Sequence, residues 1–186
     1  MGLIESLLDC LFPQAPEPLG TVRGPWGKRL VVRGRVVARE LIESPLTAQR
    51  CVYYRYLVEE WRRASVSLQS IGPGTGGLWH PTETDEAIAE FYVDDGTGRA
   101  LVEPARALVE TAGPLLAEPV EMPADHRASE VRIEPGDTVE VRGVVDEIED
   151  MLDGERGYRD LPTRMALRAA DGGRIRIRLV GKKGPG

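Results

Sequence analysis

The sequence predicts a mainly β protein: an antiparallel, partly open barrel with an amphipathic helix at its N-terminus and one short internal helix. Three observations point there. Short runs rich in Val, Ile and aromatic residues, among them KRLVVRGRVVARE from Lys28 and CVYYRYLVEEWRR from Cys51, alternate apolar with polar side chains as half-buried strands do. Glycine-bearing turns separate these runs, and the strand-helix-strand rhythm of a parallel sheet is missing. The 186 residues are 41% apolar and 29% charged, apolar enough to offset chain entropy in one core.

Residues 3–12, LIESLLDCLF, put Leu3, Ile4, Leu7, Leu8, Leu11 and Phe12 on one helical stripe, with Glu5, Ser6 and Asp9 opposite. Pro13 stops the helix. Leu3, Leu7, Leu8, Leu11 and Phe12 are the expected docking face for a protein partner or a second copy. Peripheral membrane contact ranks behind it, because the polar face carries acids where membrane-surface helices carry Lys or Arg. PQAPEPLG, from Pro13, is a semi-rigid spacer. The expected organisation is a helix at 1–12, a linker at 13–27, a single β domain at 28–182 and a tail at 183–186. No apolar run is long enough to span a bilayer, and Cys10 and Cys51 are too few for a disulfide framework, so a reducing, cytoplasmic setting is expected.

From Lys28 the texture turns to β, with Gly34 marking a bulge or a tightly coiled strand. SPLTAQR, from Ser44, is a turn, since Pro45 holds Ser44 out of the helical region. The strand from Cys51 to Arg63 sets Val52, Tyr54, Tyr56 and Val58 against Cys51, Tyr53, Arg55, Leu57 and Glu59, and its periodicity assigns the tyrosines to a core. SVSLQS is its expected hairpin partner, and IGPGTGGLWHPTETDE, from Ile71, reads as a long irregular loop.

FYVDDGTGRALVEP, from Phe91 to Pro104, packs two carboxylates and a glycine-rich tetrad between apolar runs. A phosphate loop would need Lys and a following helix, and neither is present. Asp94 and Asp95 are adjacent on a strand and point to opposite faces, which disfavours a shared metal ion. The stretch therefore reads as a tight hairpin, with Gly96 and Gly98 supplying positive φ. ARALVETAGPLLAEP, from Ala105, is the expected internal helix, followed by irregular chain from Met122 to Glu130. EPGDTVEVRGVVDEIED gives a turn and a strand with Val139, Val141 and Val145 inward and Glu140 and Arg142 outward. TRMALRAADGGRIRIRLVG reads as a closing hairpin turned at Asp171, Gly172 and Gly173.

No recognised catalytic signature occurs. His80 and His126 sit in loop-like chain, Cys51 reads as a small buried hydrophobe, and the acids of ETDE (83–86) and DEIED (146–150) read as solvated charge. The chain is expected to be non-enzymatic, with no cofactor and no metal. The strongest binding feature is RIRIRLVGKK, which aligns Arg174, Arg176 and Arg178 on one strand face, ready to grip an anion unless Glu140, Glu147 and Glu149 answer them across the sheet. With Tyr53, Arg55, Trp61 and Trp79 these arginines form the candidate ligand-binding set. A net charge of −6 sets bulk nucleic-acid binding behind protein or small-ligand binding.

The order of a glycine-bearing strand, a D-G-T-G hairpin, a short helical stretch and PGDTVEVRGVV resembles the oligonucleotide/oligosaccharide-binding (OB) barrel. More specifically, SPLTAQRCVYYRYLVEEW followed by AEFYVDDGTGRALVEP is similar to the GIDE-type, or beside-a-membrane, domain of membrane-anchored E3 ubiquitin ligases and prokaryotic proteins. Gly34, Val36, Ser44-Pro45-Leu46, Cys51 to Arg55, Glu59, Phe91, Asp94 or Asp95, Thr97, Gly98, Val102 and Pro104 carry the match, and Gly136, Asp137, Val141 and Gly143 extend it. The chain departs from those ligases in having no transmembrane helices and too few Cys and His residues for a RING. The resemblance thus implies a non-catalytic recognition module, with OB-like binding of single-stranded nucleic acid as the alternative.

Overall fold

A computed structural model of the chain describes residues 15–23, 26–63, 77–111, 122–149 and 163–183. The amphipathic helix expected at residues 3–12, the strand expected at 65–70 and most of the internal helix expected at 105–119 lie outside the described residues. A 3-10 turn, Leu19–Thr21, precedes the strands β1 Arg29–Ala38, β2 Ile42–Glu43, β3 Arg50–Cys51, β4 Tyr53–Arg63, β5 Gly77–Ile88 and β6 Phe91–Asp94. Then come β7 Arg99–Val102, β8 Ala107–Thr111, β9 His126–Ile133, β10 Thr138–Glu149, β11 Thr163–Arg168 and β12 Ile175–Gly181.

The chain divides into two compact units. The first, built from the chain up to Glu40, Ala89–Ala112 and the chain from Glu134 on, is a closed barrel. Its ring runs β1-β6-β7-β11-β10 and back to β1. Expected as partly open and antiparallel, it is closed, and two of its pairings are parallel: β11 with β7, and β12 with β8. Alternation fills the interior. Val32 faces Val141, Val36 faces Val93, and Phe91 faces Val102, all 2% exposed or less, as are Val139, Val145, Leu167, Ile175 and Ile177.

β1 works on both edges, pairing with β10 from Arg29 to Arg35 and with β6 from Arg35 to Ala38. Gly34 stands where the partner changes. It keeps register with Val139, so it is no bulge; instead a Cβ there would lie 2.5 Å from the Asp94 carbonyl oxygen. At the β6–β7 corner Gly96 has φ +82° and the Asp95 amide donates to the Gly98 carbonyl, so the D-G-T-G tetrad reverses the chain as expected, but Gly98 does not take the positive φ expected of it: a Cβ there would instead lie 3.0 Å from Leu19. The tetrad also holds the chain before β1. The Asp95 carboxylate accepts from the Leu19 amide at 2.7 Å and from the Thr97 and Gly98 amides, while the Gly20 amide donates to Thr97 Oγ1. Leu19 is thereby fixed in a fully buried position. Burial raises the Asp95 carboxyl's pKa, and the amide and hydroxyl donors more than reverse that, leaving it below the ordinary value.

Two further expectations fail in this unit. ALVET, residues 107–111, is strand β8 and not the start of a helix: pairing with β12 overrides the helix-forming tendency of Ala, Leu and Glu. The turn at Asp171–Gly173 is present, with Gly172 at φ +69° and the Gly173 amide on the Ala170 carbonyl, but it closes no hairpin. β11 and β12 pair in succession with the same neighbour, β10, so the turn interrupts one long strand line. Gly143 lies opposite the interruption, where a Cβ would meet the Arg168 carbonyl oxygen at 2.9 Å.

The second unit, Leu41–Ile88 with Gly113–Ile133, holds the sheet β5-β4-β9 and the small ladder β2-β3. The loop expected from Ile71 is a strand from Gly77 on, and the irregular chain expected at Met122–Glu130 is largely strand β9. Pro81 is tolerated in β5 because that strand lies at the sheet edge and the register slips beside it, between Val58 and Glu59.

The barrel closure makes a direct prediction. Gly34→Val drives a side chain into the Asp94 backbone, which cannot swing away, and should lower the unfolding free energy by about 3 kcal/mol. Urea denaturation followed by Trp fluorescence checks this; an unchanged midpoint would contradict the close approach.

Candidate functional site

The three-stranded sheet begins with a tyrosine face. Tyr54, Tyr56, Val58 and Cys51 form a buried cluster packed by Ile42, Leu46, Ala87, Met122 and Ala128. The two tyrosine rings stack at 6.3 Å, and their hydroxyls reach past the apolar layer to acids of β5: Tyr54 donates to Asp85 at 2.9 Å and Tyr56 to Glu83 at 2.6 Å. The hydrogen bond to Glu83, together with burial and that carboxylate's charge, pushes the Tyr56 phenol up to about 12. Two of the ETDE acids are thus held by tyrosines.

A charged knot pins the SPLTAQ turn to this face. Glu130, almost wholly buried, accepts hydrogen bonds from Ser44 and Thr47 and pairs with Arg132, which also donates to Thr47 at 2.7 Å. Burial raises its pKa, but the hydrogen bonds of Ser44, Arg132 and Thr47 and the guanidinium charge outweigh that, and the carboxyl titrates below its ordinary value. Sequence reasoning missed this group, because Glu130 was placed in irregular chain 83 residues from Thr47.

On the opposite face Tyr53 is fully buried, and its hydroxyl has no hydrogen-bond partner among the described residues. Burial and the Glu86 charge push that phenol up to about 12, against the opposing charge of Arg55. Arg55 is half-buried, opposite Glu86 on one side and Val131 on the other.

This face ends in an aromatic tip. Trp61 and Trp79 are direct cross-strand partners whose rings meet edge to face at 5.3 Å. Gly77 makes room, since a Cβ there would lie 2.4 Å from the Trp61 ring. The Arg127 guanidinium sits 4.5 Å over Trp79 and grips Glu59 through two hydrogen bonds of 2.6 and 3.0 Å. The Arg127 hydrogen bond holds the Glu59 carboxyl below its ordinary value, and the same bond raises the guanidinium. Trp61 is 37% exposed; Leu78, opposite Arg62 and so on the other face of the sheet, is 63% exposed. Trp61 and Trp79 belong to the expected binding set. Arg127 and Glu59 do not, because their grouping is visible only once residues 77–88 and 126–133 are known to be strands.

His80 and His126, expected in loops, lie on β5 and β9, each opposite Glu60. Among the described residues no group of three or more His, Cys, Asp or Glu side chains could hold a metal ion.

The arginine row belongs to the barrel unit. Arg178 faces Glu140 across β10, with both carboxylate oxygens 3.1 Å from one guanidinium nitrogen, and faces Glu110 across β8. Arg176 faces Arg142, and Arg174 is exposed just before β12. Glu147 and Glu149 lie opposite β11, out of register with the row. One arginine of the three is therefore answered by a cross-strand acid. Compared with family models, curated proteins and solved structures, the chain matches none.

The Glu130 knot sets a pH dependence. A carboxyl held below its ordinary value contributes in full above the ordinary glutamate pKa of about 4.3, and that contribution is lost as pH falls through the folded-state value. Glu130→Gln should flatten the acid limb of a stability–pH curve, and Glu130→Ala should cost about 3–5 kcal/mol at neutral pH by removing the buried carboxylate on which Ser44, Thr47 and Arg132 converge. Thermal unfolding from pH 3 to pH 7 checks both; parallel wild-type and Gln curves would contradict the assignment.

Proposed function

We propose that this chain is a non-enzymatic recognition module of GIDE-like, OB-related architecture that binds a protein partner through the aromatic tip of its three-stranded sheet. The observation carrying this reading is the exposed Trp61 beside a Trp79 ring capped by Arg127, all on paired strands. Trp and Arg dominate the energetics of protein interfaces, and a Trp already fixed by its neighbours loses little entropy on binding. Trp61 is fixed by Trp79 and by the gap at Gly77. The five-stranded ring supports the OB-related part of the reading. Ubiquitin-ligase chemistry is no part of it, because the whole sequence holds two Cys and two His, short of the paired zinc sites of a RING. The stripe of Leu3, Leu7, Leu8, Leu11 and Phe12 is the second contact in this proposal, joining a partner or another copy. Among the described residues no helix is long and apolar enough to cross a membrane.

Nucleic acid belongs to the other class of reading, and one pair of experiments separates them. Immobilised protein exposed to lysate of its own source should retain a partner that Trp61→Ala releases, with affinity falling on the order of 30-fold. Equal retention by wild type and variant would contradict the tip as the contact. Steep salt-dependent polarisation of a labelled single strand, lost on replacing Arg174, Arg176 and Arg178, would move the assignment to nucleic-acid binding.

A further inference from the structure

We propose that the wall of the barrel unit carries a binding groove for a phosphate ester of about nucleotide size, gripped by Arg33 and Arg35. This goes beyond the protein-recognition reading and is independent of it, since it concerns the other unit and another ligand class.

An open groove of about 660 Å³ runs along β1, within the usual range of small-molecule sites. β1 contributes Arg33, Arg35 and Val37, the end of β6 and its corner contribute Asp94 and Gly96, and β10 contributes Thr138. Arg33 and Arg35 are both exposed and, two residues apart on one strand, share a face with their Cα atoms about 7 Å apart. Neither is ion-paired among the described residues.

The acids around these two arginines are already engaged. Asp94, the register partner of Arg35 on β6, accepts from the Gly96 amide at 2.9 Å and pairs with Arg99 at 3.2 Å. Asp95 is saturated by the amides of Leu19, Thr97 and Gly98 and by the Thr97 hydroxyl. Glu140, the register partner of Arg33, is drawn to Arg178 on its other side. These partners hold the neighbouring carboxylates in place without discharging them, so the groove has no net positive field and an anion there would be bound by the two guanidinium forks themselves.

The geometry also selects the class of anion. One guanidinium satisfies a carboxylate's two oxygens, whereas two forks on one strand face suit the larger set of oxygens of a phosphate ester or diphosphate. Thr138 lies directly opposite Arg35 and brings a hydroxyl to the same groove. Gly96 leaves its side open, with no atom within 4 Å of a would-be Cβ. Val37 gives an apolar surface for the body of the ester.

Titration of the full chain with inorganic pyrophosphate, followed through amide NMR signals, tests this. Saturable shifts at Gly96 and Thr138 are expected at millimolar pyrophosphate. They should weaken at least about tenfold when Arg33→Gln and Arg35→Gln are combined, as loss of two charge-assisted contacts requires, and stay unchanged in Arg174→Gln. Thermal unfolding of the double variant verifies that it is folded, and Arg33→Lys with Arg35→Lys, which keeps the charge but loses the forks, should bind at an intermediate level. No saturable shift, or equal shifts in wild type and the Gln variant, would overturn the proposal. So would sulfate binding as tightly as pyrophosphate. An oligonucleotide bound through the same arginines while pyrophosphate is not would assign the groove to a polymer and equally overturn it.

Discussion

A side chain that is missing at position 34 lets the barrel close. β1 must pair with β10 along most of its length and pass to β6 at Arg35, and the Asp94 backbone comes in at the crossing point. Glycine is the residue that admits another backbone so close within a strand, at some conformational cost when unfolded. The neighbouring corner and the outer wall both depend on that approach. Asp95, one residue further on, is delivered to the amides of Leu19, Thr97 and Gly98, so one carboxylate both shapes the corner and ties down the chain leading into β1. Arg33 and Arg35, the neighbours of Gly34, are turned to the outer wall by strand alternation.

A similar device lies on the other side of β1. Asp137 is 1% exposed, and it accepts from the Glu134 amide, the Lys183 amide and the Lys182 ammonium at 2.8–2.9 Å. Buried Asp137 and half-buried Asp95 obey one rule: a carboxylate drawn out of water is stable where the chain supplies several donors at once. Glu130 obeys it in the second unit, where Ser44, Thr47 and Arg132 come from chain segments that are distant in sequence. That sheet is assembled from two excursions of the chain, one carrying β2 to β5 and the other β9. The knot fastens the SPLTAQ turn to β9, and the middle strand β4 then presents Trp61 from a position paired on both sides near its base.

Much of the strand pattern was legible in the sequence because these strands have one buried face. The inward valines of β10, the β6–β7 hairpin and the buried tyrosines of β4 are encoded by period-two alternation and by glycine-bearing turns. β5 was illegible for the converse reason: as an edge strand it is exposed along most of its length, so TETDE carries no buried period. ALVET was misread because its residues favour helices and only pairing with β12, a non-local contact, makes it a strand. The single line of β11 and β12 was hidden by a turn signal that is real, since Asp171-Gly172-Gly173 does turn, while the reversal it suggested is absent. At the candidate site the two tryptophans and the arginine row were visible as residue types. Arg127 over Trp79, and Glu140 holding Arg178, depend on registers that no local pattern encodes.

Closure of the ring is the central claim, and the one parallel link among its described pairings joins Ala100, Leu101 and Val102 with Met165, Ala166 and Leu167. Nuclear Overhauser contacts between the backbones of these two segments test it most directly. The account predicts the slanted interstrand pattern of a parallel ladder, with slow amide exchange along both segments. Absence of those contacts, or an antiparallel pattern joining β11 to β12, would show an open sheet and contradict it.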